Sequence, residues 1–284
     1  MTPSTLIFLF PGQGAQKTGM GEGLFDRFPE LTAAADAELG YSIRELCLRD
    51  PLDQLGRTDY TQPALFTVNA LTYYKTLEDS NRTPHFVAGH SLGEYNALLA
   101  AGAFDFRTGL KLVKKRGQLM SQALGGGMGA VVGLSLDQIR NVIQRSNLAN
   151  VSVANLNAPQ QAVVSGPKEE ILQIGPMFEA AGAKLYKPLN VSGAFHSPFM
   201  QPARQEFESF LKQFQFSAPK IPVISNAEAA PYPPGQIADL LARQITSPVR
   251  WVESIQFLMK QPDPAFEEIG PGNILKGLLR QIVK

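Results

Sequence analysis

Leu6-Ile7-Phe8-Leu9-Phe10 is an unbroken apolar run that ends at Pro11-Gly12-Gln13-Gly14. A run without polar alternation predicts a strand buried on both faces of a parallel sheet. A second run, Phe86-Val87-Ala88, leads into Gly89-His90-Ser91-Leu92-Gly93, and helix-forming residues follow from Leu92 to Ala101. Helical patterns lie around Leu24 to Leu39 and Pro63 to Leu77, and Asp105 is placed to cap another from Phe106 to Leu124. Gly125-Gly126-Gly127 follows a helix rather than a strand and reads as a hinge. Beyond it the rhythm changes. Strands are expected at Gly129 to Gly133, Val151 to Asn155, Ala162 to Ser165 and Lys184 to Leu189, with helices at Leu136 to Gln144 and Glu169 to Ala181. That β-α-β-β-α-β order is the split unit of ferredoxin-like folds. The chain leaves it through Val191-Ser192-Gly193-Ala194-Phe195-His196-Ser197, ahead of a helix near Pro198 to Phe214. Strands at Ile221 to Ser225 and Ala265 to Ile269 return to α/β material, with helices near Ile237 to Ile245, Val249 to Lys260 and Asn273 to Ile282. The pattern as a whole predicts an α/β protein with a parallel sheet and an inserted ferredoxin-like subdomain. The larger part is residues 1–127 and 191–284, and the smaller is 128–190.

Composition narrows the chemistry. At 284 residues, with 44% hydrophobic and 18% charged, the chain has enough apolar material for one large domain with an insertion. A formal net charge of +1 argues against nucleic acid or an anionic membrane as the main partner. Cys47 stands alone, so no internal disulfide is expected, and three histidines make a zinc site a poor fit. Met1 to Phe10 lacks the pattern of a signal peptide, and the expectation is a cytoplasmic protein.

Three positions carry candidate chemistry. Ser91 sits at the apex of a G-x-S-x-G turn between a strand and a helix, which exposes a serine hydroxyl beside the amide of Leu92 and the positive end of a helix dipole. An ordinary strand-to-helix turn would have the same look. Arg116 is the second. On the helix wheel Lys111, Lys114, Lys115, Gln118 and Gln122 share the wet side, and Arg116 falls among Leu112, Val113, Leu119 and Met120. A guanidinium facing inward needs an anion. Either an internal Asp or Glu supplies it, or a substrate carboxylate does. The third is His196. Besides it the chain has only His85 and His90, and His90 points the wrong way on a turn that presents Ser91, so His196 is the better base. Glycines around Gln13 let its backbone approach the sheet edge, although a turn alone would also need them. Asn155-Leu156-Asn157 is placed either to line a cleft or simply to turn the chain.

The ordered set Pro11-Gly12-Gln13-Gly14, Gln62-Pro63-Ala64, Gly89-His90-Ser91-Leu92-Gly93-Glu94, Arg116-Gly117, Gly193-Ala194-Phe195-His196-Ser197 and Glu268-Ile269-Gly270-Pro271-Gly272 resembles malonyl-CoA:acyl-carrier-protein transacylases and the acyltransferase domains of polyketide synthases. The resemblance implies an α/β-hydrolase-like core with an inserted ferredoxin-like subdomain. It implies a malonyl-serine at Ser91, His196 as base, and an oxyanion hole from the amides of Gln13 and Leu92. It places Arg116, Phe195 and Gln62 on the substrate, and has the backbone carbonyl at Gln244 orient the histidine in place of an acid. Phe195 resembles the malonyl-selecting form, where the methylmalonyl-selecting form usually has serine. Malonyl-CoA would be the donor and the phosphopantetheine of an acyl carrier protein the acceptor, with no bound cofactor and a monomeric enzyme. The tracts Gly40 to Cys47 and Asp59 to Leu71 look closer to free-standing, trans-acting polyketide acyltransferases than to fatty-acid enzymes. Two rivals remain: an acyl-carrier-protein thioester hydrolase, a proofreading enzyme of the same fold, and an acyltransferase-like docking module with an idle site.

Overall fold

A computed structural model describes residues 4–191 and 193–283. The first residues of the N-terminal stretch and Ser192 of the segment before His196 lie outside them. The chain runs β1 (Thr5–Phe10), α1 (Leu24–Arg27), α2 (Pro29–Leu39), α3 (Ile43–Leu48), α4 (Thr58–Ser80), β2 (Phe86–Gly89), α5 (Gly93–Ala100) and α6 (Phe106–Gln122). Next come β3 (Gly126–Val132), α7 (Leu136–Arg145), β4 (Ser152–Ala158), β5 (Gln161–Pro167), α8 (Lys168–Ala180) and β6 (Leu185–Pro188). A 3-10 turn at Pro198–Met200 precedes α9 (Gln201–Leu211), β7 (Val223–Ile224), α10 (Ile237–Gln244), α11 (Trp251–Met259), β8 (Pro264–Glu268) and α12 (Ile274–Ile282). No helix among the described residues is long and apolar enough to cross a membrane.

One sheet is parallel, in the order β7-β2-β1-β8. Its central strand is buried on both sides, as the continuous apolar run predicts. Phe8 and Phe10 pack toward α4 and α5, while Ile7 and Leu9 pack with Trp251, Leu258, Leu275 and Leu278 of α11 and α12. The second sheet is antiparallel, in the order β4-β5-β3-β6, which is the ferredoxin-like arrangement. Val131, Ala162 and Val164 turn one face onto α7 and α8, and Met128, Ala130 and Val163 turn the other toward a cavity.

The register places the functional loops. Phe10 pairs with Gly89 and Ala88 with Ile224, so the loops after β1, β2 and β7 leave the carboxyl edge side by side.

Several expected boundaries differ. The expected Leu24 to Leu39 helix is two, broken at Phe28 ahead of Pro29, since the residue before proline disfavours helical backbone. The expected Pro63 to Leu77 helix starts earlier, at Thr58, and carries Pro63 inside it, near enough to the N-terminus that one hydrogen bond is lost. The glycine hinge is instead the start of β3. A side chain on Gly126 would run into the backbone at Ala194, so the position is small because the returning chain crosses it.

Candidate active site

The elbow is as tight as its spacing implies. A Cβ on Gly89 would overlap the backbone of Gly93, and one on Gly93 would overlap the carbonyl of Phe10. Ser91 at the apex takes φ of 52°, a left-handed conformation unusual for serine. Gly12 lies against the carbonyl of His90 for the same reason of space, which brings the Gln13 loop onto the elbow. Gln13, Ser91 and Leu92 then line one cavity of about 270 Å³ with Arg116, Phe195 and His196. Neither the Gln13 nor the Leu92 backbone N–H has an acceptor among the described residues.

His196 arrives from the segment after β6, also at positive φ, 59°. Its Nε2 lies 2.7 Å from Ser91 Oγ and its Nδ1 lies 2.8 Å from the Gln244 carbonyl. A carbonyl only accepts, so the proton sits on Nδ1, and Nε2 is left to accept from the serine hydroxyl. Burial first, and then the Arg116 cation, push the imidazole down from its ordinary 6.5 to about 3, so it is neutral across the physiological range. His90 turns away, as expected, and shares a hydrogen bond of 2.8 Å with Asn157. Asn155 and Asn157 both line the cavity, so the cleft reading of that tract matches their placement.

Arg116 is 1% exposed and burial pulls its pKa down. Nη1 donates to Gln62 Oε1 at 2.8 Å, while Nη2 donates to Gln244 Oε1 at 2.8 Å and reaches Ser91 Oγ at 3.2 Å. Nε has no partner. Among the described residues no carboxylate forms an ion pair with it. Of the two anions the sequence left open, the direct internal one is missing. Gln62 does not line the cavity. It sits behind Arg116 and holds it, so it is not placed to touch a substrate. Gln244 contributes more than a carbonyl, since its side chain also reaches Arg116.

Three residues escaped the sequence reading. Asn226, just past β7, accepts the Ser91 N–H at 2.7 Å and donates to the Gly89 carbonyl at 2.7 Å. Glu94 is fully buried under the elbow and accepts from Tyr232, Gln244 and the Asn226 N–H. Burial carries its carboxyl from 4.5 up to about 7 against those donors. A lone acidic residue in the mostly apolar Leu92 to Ala101 stretch was the available signal. Asn226 and Tyr232 had none, because only the fold brings β7 beside the elbow.

A half-buried serine paired with a buried histidine at a cavity, two free amides and a guanidinium without a counter-charge can support acyl transfer to and from an acid-bearing substrate. Comparisons with known proteins agree with that chemistry. Residues 7–284 match the acyl transferase domain family. The chain is 54% identical over 280 residues to the polyketide biosynthesis malonyl CoA-acyl carrier protein transacylase PksC of Bacillus subtilis, covering 98% of this chain and 97% of that protein. It is 39% identical to a malonyl CoA-acyl carrier protein transacylase of Staphylococcus aureus, over 98% of this chain and 92% of the other. A crystal structure of a malonyl CoA-acyl carrier protein transacylase from Burkholderia pseudomallei superposes with a TM-score of 0.96 at 53% identity, covering 99% of this chain and 98% of that one. A malonyl-transacylase solved in complex with a type II polyketide synthase acyl-carrier protein gives 0.94 at 36% identity, over 99% and 93% of the two chains. This chain belongs to the acyl transferase family, among the malonyl-CoA:acyl-carrier-protein transacylases.

Proposed function

We propose that the protein transfers malonyl from malonyl-CoA to the phosphopantetheine thiol of an acyl carrier protein, in two half-reactions through a malonyl ester on Ser91. Ser91 Oγ attacks the thioester carbonyl as its proton passes to His196 Nε2. The oxyanion is held by the N–H groups of Gln13 and Leu92, each such donor being worth about a hundred- to a thousandfold in rate. Collapse of the adduct expels the CoA sulfur, which takes the proton from His196. In the second half, His196 removes the proton of the carrier's thiol, the sulfur attacks the ester, and Ser91 regains its proton. The Gln244 carbonyl keeps His196 in the tautomer that both halves need.

The observation that carries this reading is Arg116, a wholly buried cation that faces the nucleophile with only neutral acceptors around it. A malonyl carboxylate supplies the charge it lacks, while a neutral acyl group does not. That requirement also weighs against a thioester hydrolase, whose neutral substrates leave the guanidinium unmatched. The same reading has the enzyme cytoplasmic, monomeric and without a bound cofactor. Its two units divide near 190/191 and, because Gly126 and Gly127 already pair with β5, at 125/126 in place of 127/128. The likeness to PksC favours a polyketide carrier over a fatty-acid one.

Intact-mass measurement tests the central step. Malonyl-CoA should add one malonyl mass, and Ser91→Ala should abolish it. Labelling that survives the substitution, or rapid release of free malonate without carrier protein, would overturn the reading.

A further inference from the structure

Gln244 serves four groups at once. Its backbone carbonyl accepts from His196 Nδ1, its Oε1 accepts from Arg116, and its Nε2 donates to the Ser91 carbonyl at 2.9 Å and to Glu94 Oε2. A carboxamide can exchange its oxygen and nitrogen with almost no change in shape, so its orientation is decided by its neighbours. Here every neighbour has one sign. Arg116 offers only donors; the Glu94 carboxylate and the Ser91 carbonyl offer only acceptors.

Glu94 is fixed from its other side by the Tyr232 hydroxyl and by the Asn226 N–H at 3.2 Å, both on Oε1. It is fully buried and does not line the cavity over Ser91, so it stands behind the groups that face a substrate. Its influence still reaches the catalytic groups through two residues: Gln244, whose side chain meets Arg116 and whose backbone carbonyl meets His196, and Asn226, held by its backbone N–H, whose side chain accepts the Ser91 N–H. A buried guanidinium without a counter-charge costs several kcal/mol. A direct carboxylate partner would offset that cost but would occupy the cation.

We propose that Glu94 is a positioning residue whose carboxylate locks the Gln244 amide with its oxygen toward Arg116 and balances the Arg116 charge from one amide away. The guanidinium then stays both oriented and available to an incoming carboxylate. This inference rests on the malonyl-transfer reading above.

Replacing Glu94 with glutamine keeps the volume but puts an N–H where Gln244 needs an acceptor. The Gln244 amide must turn or lose a bond, and either outcome presents Arg116 with a poorer partner. The test is a double-mutant cycle on the full chain in mildly alkaline buffer, comparing malonyl and acetyl loading from their CoA thioesters. Glu94→Gln should lower malonyl loading about tenfold more than acetyl loading, and that excess should vanish when Arg116→Ala is already present. Equal losses on the two thioesters, or the same excess with Arg116 gone, would overturn the proposal and assign Glu94 to the fold alone. Wild-type protein that fails to load malonyl at all would instead sink the functional reading.

If Glu94→Gln does not fold, Tyr232→Phe provides the second arm. The carboxyl faces Tyr232 and Asn226 from the segment after β7, Gln244 from α10, Tyr95 beside it on α5 and the Arg116 cation from α6. Losing one donor favours its protonated form, which no longer forces the Gln244 orientation. The fall of the malonyl-to-acetyl ratio with falling pH should therefore set in at higher pH in Tyr232→Phe than in wild type. An unchanged pH dependence would count against the proposal.

Discussion

Ser91 and His196, 105 residues apart, meet at 2.7 Å with both backbones in the left-handed region, φ 52° and 59°. Neither is a glycine, so each conformation is held by its surroundings. Ser91 is fixed between Gly89 and Gly93 and by Asn226 on its N–H; His196 is fixed by its own N–H on the Ile245 carbonyl at 3.2 Å and its ring on Gln244. A nucleophile on such a turn projects clear of the strand and helix, at the expense of local stability.

That strain is measurable. Ser91→Ala and Ser91→Gly both remove the hydroxyl, but only glycine accepts positive φ without penalty. Ser91→Gly should be the more stable of the two by about 1 kcal/mol, a rise in unfolding temperature of roughly 2–4 °C. Thermal unfolding of the two variants side by side checks it. An alanine variant as stable as the glycine one would show that the elbow is unstrained.

The elements of the fold and the chief site residues were legible in the chain for definite physical reasons. The unbroken Leu6 to Phe10 run could only be a doubly buried strand, and Arg116 stood out because a cation breaks the apolar arc of α6. Boundaries were harder wherever packing overrode local preference, as at Thr58, where α4 extends past Pro63. Gln62 was misplaced because a motif says which residues gather, not which stands in front. The Glu94–Gln244–Asn226 network was invisible for a stronger reason. Its members are joined across α5, α10 and the end of β7, and no spacing along the chain encodes that meeting.

The arginine gives a sharper test than deletion of the nucleophile. Arg116→Met keeps the length and apolar stem but removes the charge. Malonyl loading should fall about a hundredfold or more with the loss of a bidentate charge-assisted contact, while acetyl loading falls far less. The same variant removes one of the forces that hold His196 below its ordinary range, the largest after burial. The imidazole pKa should rise, so the acid limb of acetyl loading should move to higher pH. Parallel losses on both thioesters with an unmoved limb would detach Arg116 from substrate and base alike.

Stability against pH is set at the site by two buried histidines and an opposing carboxyl. His196 titrates at 6.5 in its ordinary state and about 3 when folded. Below 6.5 the unfolded chain therefore takes up a proton that the folded chain refuses, and stability is lost as pH falls. Glu94 moves the other way, from 4.5 to about 7. Between those values the folded chain keeps a proton that the unfolded chain has released, and stability is lost as pH rises. From 4.5 to 6.5 the two effects offset one another. His196→Gln removes one histidine contribution and leaves that of His90, which burial also holds below 6.5. Relative to wild type, its unfolding free energy should fall with rising pH across that window, by at most about 1.4 kcal/mol per pH unit. Identical slopes for the two proteins would mean that His196 is not shifted by folding.

Phe195 bears on which acyl group the cavity admits. It is buried beside His196, lines the cavity with Met120, Met128 and Val163, and its ring lies so close to Gly193 that a side chain there would strike it. The ring belongs to the main core cluster as well as to the cavity wall, which limits its room to move for a bulkier substrate. The branch methyl of methylmalonyl would press against it, and a misfit of that size is worth about 1–3 kcal/mol, or roughly 10- to 200-fold in kcat/KM. Phe195→Ser should raise methylmalonyl loading relative to malonyl loading within that range. The Arg116 contact should be untouched, because both substrates carry the same carboxylate. Competition between the two CoA thioesters, read as the ratio of adducts on Ser91, gives the answer directly. A ratio that stays at its wild-type value would place the discrimination elsewhere in the cavity wall, with Met120 or Met128 the next side chains to shorten.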